Sequence, residues 1–355
     1  MEKDKKIKIA VIGCGTIANN AHIPAYMKNA NAEIVWFCDI IAERAAAAAK
    51  AYGAGKVCTD YRDILRANDV DAVSVCTPNN AHSQIAIDFL LAGKDVLCEK
   101  PAARTLDEAL LMQKAKNDSG RILNIGVCNR FNGSVVKIKE LIDDGVLGDV
   151  YHVYISFRSH RAIPGLGGAF TTKAIAGGGA LIDWGVHFID LVMYCTGDPK
   201  PKTVSGMTFS RLGRDIEGYV YEDMWAGPPV PGGTYDVDDS VTALVRTEGP
   251  TVTIHGAWAQ NIGVNEMYID FIGDKAGIRL QYGGGFTLYG TKDGRLISKT
   301  PEIDIGNHYD NEINSFIACI LSGEQNTATI DNAIISSRIM QAIYDSSEQG
   351  RELAI

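Results

Sequence analysis

Residues 7–18, IKIAVIGCGTIA, decide the fold of this chain, because a short apolar run passes directly into a glycine-rich turn. After a strand of a parallel sheet, the first glycine of such a turn permits a tight bend, and the second lets a phosphate approach the main chain. The alanine at the third position keeps the next helix close to the sheet, and the helix N-terminus favours negative charge. The stretch therefore predicts a phosphate-binding turn formed by Gly13, Gly15, Thr16, Ile17 and Ala18.

An acidic residue in the right place indicates which phosphate compound binds there. Asp39 ends the second strand-like run, 24 residues beyond Gly15. Its carboxylate can accept hydrogen bonds from both ribose hydroxyls and would repel a 2′-phosphate. The next cation along the chain is Arg44. The sequence therefore predicts NAD as the cofactor, in preference to NADP.

The pattern of strands and helices divides the chain into two parts. Short apolar runs alternate with helical stretches up to about residue 128, which predicts an α/β, doubly wound parallel sheet of the Rossmann type in a domain of residues 1–128. The predicted strands are 7–13, 33–39, 71–77, 95–98 and 121–127, and the predicted helices are 42–52, 81–92 and 106–117.

The second part, residues 129–355, has a different pattern. Its strand-like runs are joined by short turns, which predicts an α+β domain with an open, mostly antiparallel sheet. The predicted strands are 151–158, 203–210, 240–247, 251–259, 266–272, 277–282 and 286–289, with helices at 180–196, 311–321 and 331–346. The irregular segment 213–239 carries seven acidic residues, and its length is typical either of a lid or oligomer arm or of a solvated excursion.

Composition excludes several classes of protein. The chain has 355 residues, 46% of them hydrophobic, and a net charge of −9. Its only basic cluster, residues 3–8, is interrupted by Asp4, so no nucleic-acid partner is expected. No signal-peptide core or run of ~20 apolar residues is present, which predicts a cytoplasmic protein without a membrane partner. The eight cysteines form no CxxC pair, so we expect small core residues rather than a zinc site or disulfides.

A lysine follows the short apolar run 95–98, in the stretch Glu99-Lys100-Pro101. Open α/β sheets hold their ligands at the carboxyl ends of the strands, where a lysine can move a proton or polarise an oxygen. The sequence Thr77-Pro78-Asn79-Asn80, followed by His82, ends another strand at the same edge. The residues predicted to contact the cofactor at this edge are Thr77, Pro78, Asn79, His82, Glu99, Lys100 and Asn129. Asn79 or Asn80 is equally suited to cap the next helix.

Asp183 and His187 follow three glycines and stand four residues apart, so they share one face of a helix. A carboxylate one turn from an imidazole favours the protonated ring and fixes its orientation, as a general acid/base requires. Taken singly, each has an ordinary structural explanation, as a first-turn acid and a core histidine. No third ligand accompanies them, so no metal site is predicted.

Together these motifs resemble the glucose-fructose oxidoreductase, inositol dehydrogenase and rhizopine-catabolism (Gfo/Idh/MocA) family. The order is GxGxxA, an acid after the second strand, TPNxxH, EKP and GGGxxxDxGxH, followed by a β-rich half. The resemblance implies a Rossmann domain, an open-sheet domain, a nicotinamide cofactor and a sugar or polyol substrate. It also implies a catalytic set of Lys100, Asp183 and His187. We assign His187 as acid/base, Asp183 as its partner and Lys100 as the donor to the reacting oxygen, although Lys100 and His187 could exchange roles.

Further side chains are candidates for contact with substrate. Charged groups after predicted strands and aromatic groups suited to packing against sugars supply them. With the catalytic set of Lys100, Asp183 and His187, the predicted substrate-binding residues are Arg130, Arg158, Arg161, Trp184 and Tyr309. Trp258 is a further candidate for an apolar surface.

Three functions are consistent with the sequence. The first is an NAD-dependent dehydrogenase that oxidises a secondary alcohol of a sugar, glycoside or inositol. The second is a redox glycosidase that oxidises, eliminates and reduces with no net change in its NAD. The third is a non-enzymatic nucleotide-binding sensor, which would have no need for all three catalytic side chains. The open sheet predicts a homo-oligomer, a dimer, tetramer or larger.

Overall fold

The computed structural model describes residues 6–53, 55–324 and 326–355. The chain forms two compact units, one of Met1–Phe131 and Asn307–Ile334 and the other of Asn132–Gly306 and Ile335–Ile355. Each unit is therefore built from two separate parts of the sequence. The division into domains 1–128 and 129–355 stays a prediction, and the N-terminal basic residues Lys3 and Lys5 lie outside the described residues.

The strands in chain order are β1 (Ile7–Ile12), β2 (Ala32–Cys38), β3 (Lys56–Cys58), β4 (Ala72–Val75), β5 (Asp95–Glu99), β6 (Leu123–Gly126), β7 (Val150–Arg158), β8 (Pro201–Phe209), β9 (Ser240–Thr247), β10 (Thr251–Ala257), β11 (Glu266–Gly273), β12 (Ala276–Gln281), β13 (Phe286–Lys292), β14 (Arg295–Lys299) and β15 (Leu353–Ala354). The helices are α1 (Ile23–Lys28), α2 (Ala42–Tyr52), α3 (Arg62–Leu65), α4 (Asn79–Leu91), α5 (Leu106–Ser119), α6 (Gly133–Asp143), α7 (Lys173–Ala176), α8 (Val186–Cys195), α9 (His308–Ser322) and α10 (Ile330–Gln349). Single π-helical turns at Ala18–His22 and Leu181–Gly185 precede α1 and α8.

The sheet of the first unit has the strand order β3-β2-β1-β4-β5-β6, and its strands pair in parallel. This is the order of a doubly wound dinucleotide-binding fold, with its switch point between β1 and β4. The predicted Rossmann fold is confirmed. The sequence did not reveal β3, because three mostly exposed residues carry no apolar pattern.

The sheet of the second unit has nine strands in the order β14-β13-β12-β11-β7-β10-β9-β8-β15. Only β7 and β10 pair in parallel, so the predicted mostly antiparallel sheet is confirmed. One face is apolar and packs with α6, α8 and residues of α10 in a single core. The exposed strand β14 and the two-residue strand β15 were not predicted, since neither shows the alternation of a half-buried strand.

The acidic segment 213–239 is anchored to the fold although most of its residues are exposed, and its role as a lid or oligomer arm stays a prediction. Tyr219, Met224 and Val237 are buried in a small core with Trp258. The acidic side chains near its end bind main-chain N–H groups, because the Asp239 carboxylate accepts from Arg211, Leu212 and Gly213 at 2.6–3.2 Å. These acids anchor the segment, a role that a count of charges does not reveal.

A buried carboxylate that accepts main-chain N–H groups also fixes the start of the helix that carries Asp183 and His187. Asp238 is buried, and its carboxylate accepts hydrogen bonds from Gly179 N at 2.8 Å, Leu181 N at 2.9 Å and Tyr344 Oη at 2.6 Å. A Cβ on Gly179 would lie 1.8 Å from the Asp238 carbonyl oxygen, so this close approach requires glycine.

Two expectations from composition are also reflected in the packing. Seven of the eight cysteines are buried and Cys58 is half-buried, as expected of small core residues. The segment Lys173–Cys195 is long and apolar enough to cross a membrane, but 78% of its most apolar window is buried inside the fold. Such burial is typical of the core helix of a globular protein.

Candidate active site

The glycine turn lies at the switch point of the first sheet. Gly13 has φ +89°, and a Cβ there would lie 2.5 Å from the Cys76 carbonyl oxygen. A Cβ on Gly15 would meet no described atom within 4 Å. The turn thus packs its first glycine against the end of β4 and presents bare main chain at its second, which suits a pyrophosphate.

Asp39 lies beside the turn. Its Oδ2 accepts the Cys14 N–H at 2.9 Å, and its Oδ1 accepts the Ile41 N–H at 2.8 Å. Each carboxylate oxygen has a second lone pair, so the side chain can still accept ribose hydroxyls. Ile40, directly after it, is 89% exposed, so an apolar side chain occupies the position next to the acid. These groups fit the adenosine ribose of NAD.

Thr77, Pro78 and Asn79 join β4 to α4. The Thr77 hydroxyl oxygen is buried and has no hydrogen-bond partner among the described residues, as expected of a group that awaits a ligand. Pro78 occupies the N-cap position of α4, so Asn79 and Asn80 lie inside its first turn. The alternative that either asparagine caps this helix is therefore wrong.

His82 braces the ends of two strands. It is fully buried, with Nδ1 2.8 Å from the Pro101 carbonyl oxygen and Nε2 2.8 Å from the Thr77 carbonyl oxygen. Burial lowers its pKa, so the neutral ring donates to one carbonyl at a time. The histidine supports the turns that carry Thr77 and Lys100, and its predicted contact with the cofactor stays a prediction.

Glu99 is paired with a histidine that the sequence did not single out. His22 Nε2 lies 2.7 Å from Glu99 Oε1, and His22 Nδ1 lies 2.7 Å from Ser74 Oγ. Burial alone lowers the pKa of His22, but its contacts with Cys76 and Glu99 raise it well above the ordinary value. Burial alone raises the pKa of Glu99, but the hydrogen bond and charge of His22 lower it. The two therefore form a buried imidazolium–carboxylate pair.

Lys100 is attached to this pair through its main chain. Glu99 Oε2 accepts the Lys100 N–H at 3.0 Å, and the Lys100–Pro101 peptide is cis. The Lys100 side chain is half-buried. The lysine thus stands at the carboxyl end of β5, the edge at which the glycine turn and Thr77 also lie.

A second buried acid lies near this pair. Glu312 on α9 is 2% exposed, and both its carboxyl oxygens lack a hydrogen-bond partner among the described residues. Burial, together with the charge of Glu99, raises its pKa well above the ordinary value. Both effects favour the neutral carboxylic acid at this position.

Three other predicted residues lie in the same unit. Asn129 is buried in the short helix Cys128–Phe131. Arg130 is 1% exposed and donates to the Thr327 carbonyl oxygen, which favours a structural role. Tyr309 is half-buried at the start of α9, and burial with Cys128 and Glu99 nearby raises the pKa of its hydroxyl. Their contacts with cofactor or substrate stay predictions.

Asp183 and His187 lie on the mainly buried helix of the second unit. Both are half-buried, whereas Leu181, Ile182, Val186 and Phe188 around them are buried. Asp183 belongs to the π-helical turn before α8, and its Oδ2 accepts the Trp258 Nε1–H at 3.2 Å. The helix therefore carries a carboxylate and an imidazole one turn apart, and the carboxylate accepts a hydrogen bond from Trp258.

The remaining candidates of the second unit have different surroundings. Trp184 is half-buried between two apolar cores. Arg158 forms an ion pair with Glu266. Arg161 donates to the carbonyl oxygens of His160 and Gln260 at 2.6 and 3.1 Å and lines an open cavity of about 520 Å³. Their contacts with substrate also stay predictions.

Trp258 corrects an expectation. It is fully buried, so it offers no flat surface to a sugar, and it serves instead as the hydrogen-bond donor to Asp183. Sequence reasoning did not assign a role to three buried residues, and nothing in their local spacing marks them. They are His22 in a π-helical turn, Asp238 in the irregular segment 213–239 and Glu312 in α9. In the described ranges 6–53, 55–324 and 326–355, no group of three or more His, Cys, Asp or Glu side chains is placed to hold a metal ion.

Comparison with known proteins gives two matches to family models. Residues 7–127 match the model described as an oxidoreductase family with an NAD-binding Rossmann fold. Residues 135–279 match the model described as a Gfo/Idh/MocA C-terminal domain. The two matches together cover most of the chain.

Similarity to known proteins extends over nearly the whole length of the chain. A D-glucoside 3-dehydrogenase of Escherichia coli K12 is 30% identical over 98% of this chain and 97% of its own length. An inositol 2-dehydrogenase of Rhizobium meliloti is 26% identical over 98% and 99%. The solved structure of a levoglucosan dehydrogenase in complex with NADH and levoglucosan superposes with a TM-score of 0.85 at 22% identity, covering 99% and 100% of the two chains. This last likeness concerns the fold.

We expect Asp39→Asn to weaken binding of NAD and to leave binding of NADP unchanged or improved. The change removes the charge that accepts the ribose hydroxyls and repels a 2′-phosphate, and a hydrogen bond to a charged group contributes about 1.5–3 kcal/mol. The Kd for NAD should rise roughly 10-fold or more. Titration of protein fluorescence with each dinucleotide measures both constants, and equal weakening of both would contradict this role.

We expect Glu312→Gln to stabilise the protein increasingly as the pH rises from 5 to 8. Glu312 has a raised pKa in the folded state, so its contribution to stability is complete below its unfolded value and is lost as the pH rises toward the folded one. The loss is at most about 1.4 kcal/mol per pH unit, and glutamine, which does not ionise, avoids it.

Urea denaturation at several pH values measures the difference in free energy of unfolding between variant and parent. Glu324→Gln, a change at an exposed position of the same unit, is the control and should give no trend with pH. A difference for Glu312→Gln that stays constant across the pH range would show that Glu312 is ionised in the folded protein.

Proposed function

The chain belongs to the Gfo/Idh/MocA family of NAD-binding oxidoreductases, and from this premise we propose that it transfers hydride between a secondary alcohol of a sugar, glycoside or inositol and nicotinamide. The product of oxidation is a keto-sugar or keto-inositol. The D-glucoside 3-dehydrogenase and inositol 2-dehydrogenase that the chain resembles along their full lengths support this choice of substrate class.

The observation that carries the proposal is the pair Asp183 and His187 on a mainly buried helix. Charged groups on a protein surface are usually surrounded by exposed side chains. A half-buried carboxylate and imidazole surrounded by buried side chains are instead typical of groups that contact a ligand. The helix start is fixed by Asp238, and Asp183 is held by Trp258. The imidazole is thus preceded by an acid with a fixed orientation, as proton transfer requires.

Each catalytic side chain has one proposed role. The glycine turn and Asp39 would hold NAD, whose nicotinamide would supply the acceptor for the hydride from the carbon that carries the hydroxyl. His187 takes the hydroxyl proton, and Asp183 orients the ring and stabilises its protonated form. Lys100 donates a hydrogen bond to the reacting oxygen and stabilises the charge that develops there. In the direction of reduction, His187 returns the proton.

Assays of a compound panel with NAD test the function. D-Glucose, methyl D-glucosides, an aryl glucoside and myo-inositol are incubated with the protein, and reduced cofactor and products are measured together. Reduced cofactor in proportion to a keto product supports the dehydrogenase. Release of aglycone without net reduction of the cofactor would indicate a redox glycosidase, and bound NAD without turnover of any compound would favour a sensor.

The catalytic roles predict a separation between turnover and cofactor binding. Lys100→Ala and His187→Asn should each lower kcat by about 10²–10⁴-fold, the usual contribution of a positioned proton-transfer group. The Kd for NAD should change less than about threefold, because the glycine turn and Asp39 remain. Lys114→Ala, a change at an exposed lysine, is the control. Parallel loss of NAD binding and turnover would contradict the assignment.

We also propose a homo-oligomer formed through the second sheet. Val153, Ile155 and Phe157 of β7 are buried under the helices, whereas the alternate residue Tyr154 is 46% exposed. Strand register places Met207 and Tyr289, also exposed, on the face of Tyr154. Light scattering after size exclusion should give a dimer or larger species for the parent and a smaller one for Tyr154→Lys with Met207→Lys. A parent monomer at micromolar concentration would refute the interface.

The proposed setting of the reaction is the cytoplasm. All eight cysteines are free thiols in the structure. A reducing compartment maintains that state.

A further inference from the structure

We propose that His22 positions Lys100 through Glu99 and sets how readily the lysine amine gives up its proton. The inference rests on the proposed function in one respect, namely that Lys100 acts on the reacting oxygen. His22 touches neither substrate nor cofactor in this proposal, so it is a positioning residue.

The first step is the rigidity of the link. His22 is 1% exposed, and both its ring nitrogens are held at 2.7 Å, one by Ser74 on β4 and one by Glu99 on β5. Its ring therefore joins neighbouring strands just before their carboxyl ends. A side chain with two short hydrogen bonds and no exposed surface has one orientation available.

The second step is the confinement of Glu99. One carboxylate oxygen accepts from His22 and the other from the Lys100 main chain. A Cβ on Gly126 of the adjacent strand would lie 3.2 Å from Glu99 Oε1, so glycine there leaves room for the carboxylate. The Glu99 carboxylate thus connects the His22 ring to the main-chain N–H of Lys100.

The third step concerns charge. Glu99, His82 and Cys128 each interact electrostatically with Lys100. His22 interacts with Glu99 and Glu312, and also with Cys76. With His22 protonated, Glu99 ionised and Glu312 neutral, the buried cluster has no net charge. An ammonium group beside a neutral cluster loses its proton more readily than one beside an uncompensated carboxylate. Lys100 can therefore exchange its proton.

Competitive labelling tests the charge argument without a substrate. The protein is acetylated with acetic anhydride across a pH series, and mass spectrometry gives the midpoint pH at which Lys100 becomes reactive. Glu99→Gln removes a negative charge and should move the midpoint down. His22→Gln should move it up, because the charge and the main-chain N–H of Lys100 still favour the ionised Glu99 carboxylate, which then lacks the compensating imidazolium. The exposed Lys114 provides the internal standard. Shifts in the same direction, or none, would overturn the proposal.

A double-mutant cycle tests the positioning argument. His22→Gln should lower kcat about 10-fold in the parent and less than about twofold in the Lys100→Ala background, because groups that act through one another are not additive. The Kd for NAD should not change. Equal losses in both backgrounds would show a general structural role and overturn the proposal. Lys100→Ala with unchanged kcat would instead overturn the proposed function, while the labelling result would still report on His22.

Two further variants guard against misfolding and general perturbation. Ser74→Ala removes one partner of His22 with little change in volume, so it should lower kcat several-fold even if His22→Gln does not fold. Tyr26→Phe removes the 3.4 Å hydrogen bond to Ser74 Oγ and leaves the His22–Glu99 contact in place. Its kcat should stay within about twofold of the parent value, and a loss as large as that of Ser74→Ala would overturn the proposal.

Discussion

The main chain at Gly13 packs against the main chain at Cys76 and Thr77, and the ligand-binding edge of the first sheet depends on this contact. A Cβ at residue 13 would lie 2.5 Å from the Cys76 carbonyl oxygen. Only glycine permits both this approach and the positive φ of the turn. The contact brings the turn after β1 against the end of β4, so Asp39 and Thr77 lie at one edge, and Lys100 directly follows β5, the strand next to β4.

Several buried polar groups lie at this edge, and specific hydrogen bonds or charge pairs offset the cost of removing them from water. Asp39 accepts two main-chain N–H groups, and His82 binds two main-chain carbonyls. The charges of His22 and Glu99 offset one another, and burial raises the pKa of Glu312, which disfavours a further buried charge. Isolated buried ions cost several kcal/mol each. The edge therefore stays ordered around a half-buried lysine and a buried threonine hydroxyl that has no hydrogen-bond partner among the described residues.

The second unit uses carboxylates in a related way. Asp238 and Asp239 accept main-chain N–H groups from residues that are distant in sequence. Their burial converts an irregular acidic segment into the support of the helix that carries Asp183 and His187. Asp238 and Asp239 therefore satisfy main-chain donors at the start of this helix and at the start of the acidic segment.

The sequence by itself determined the elements and the chemistry that depend on neighbouring residues. Alternation, glycine spacing and strand-terminal polar residues identified the Rossmann sheet, the phosphate turn and Asp39, and they marked Lys100, Asp183 and His187 as candidates. Tertiary structure alone decided how those candidates are supported. His22 pairs with Glu99 across 77 residues and Asp238 binds Gly179 across 59, Trp258 is buried behind Asp183, and Arg130 is withdrawn from solvent. Contacts between distant segments leave no periodic or spacing signal, because they arise only when separate strands and helices are packed together.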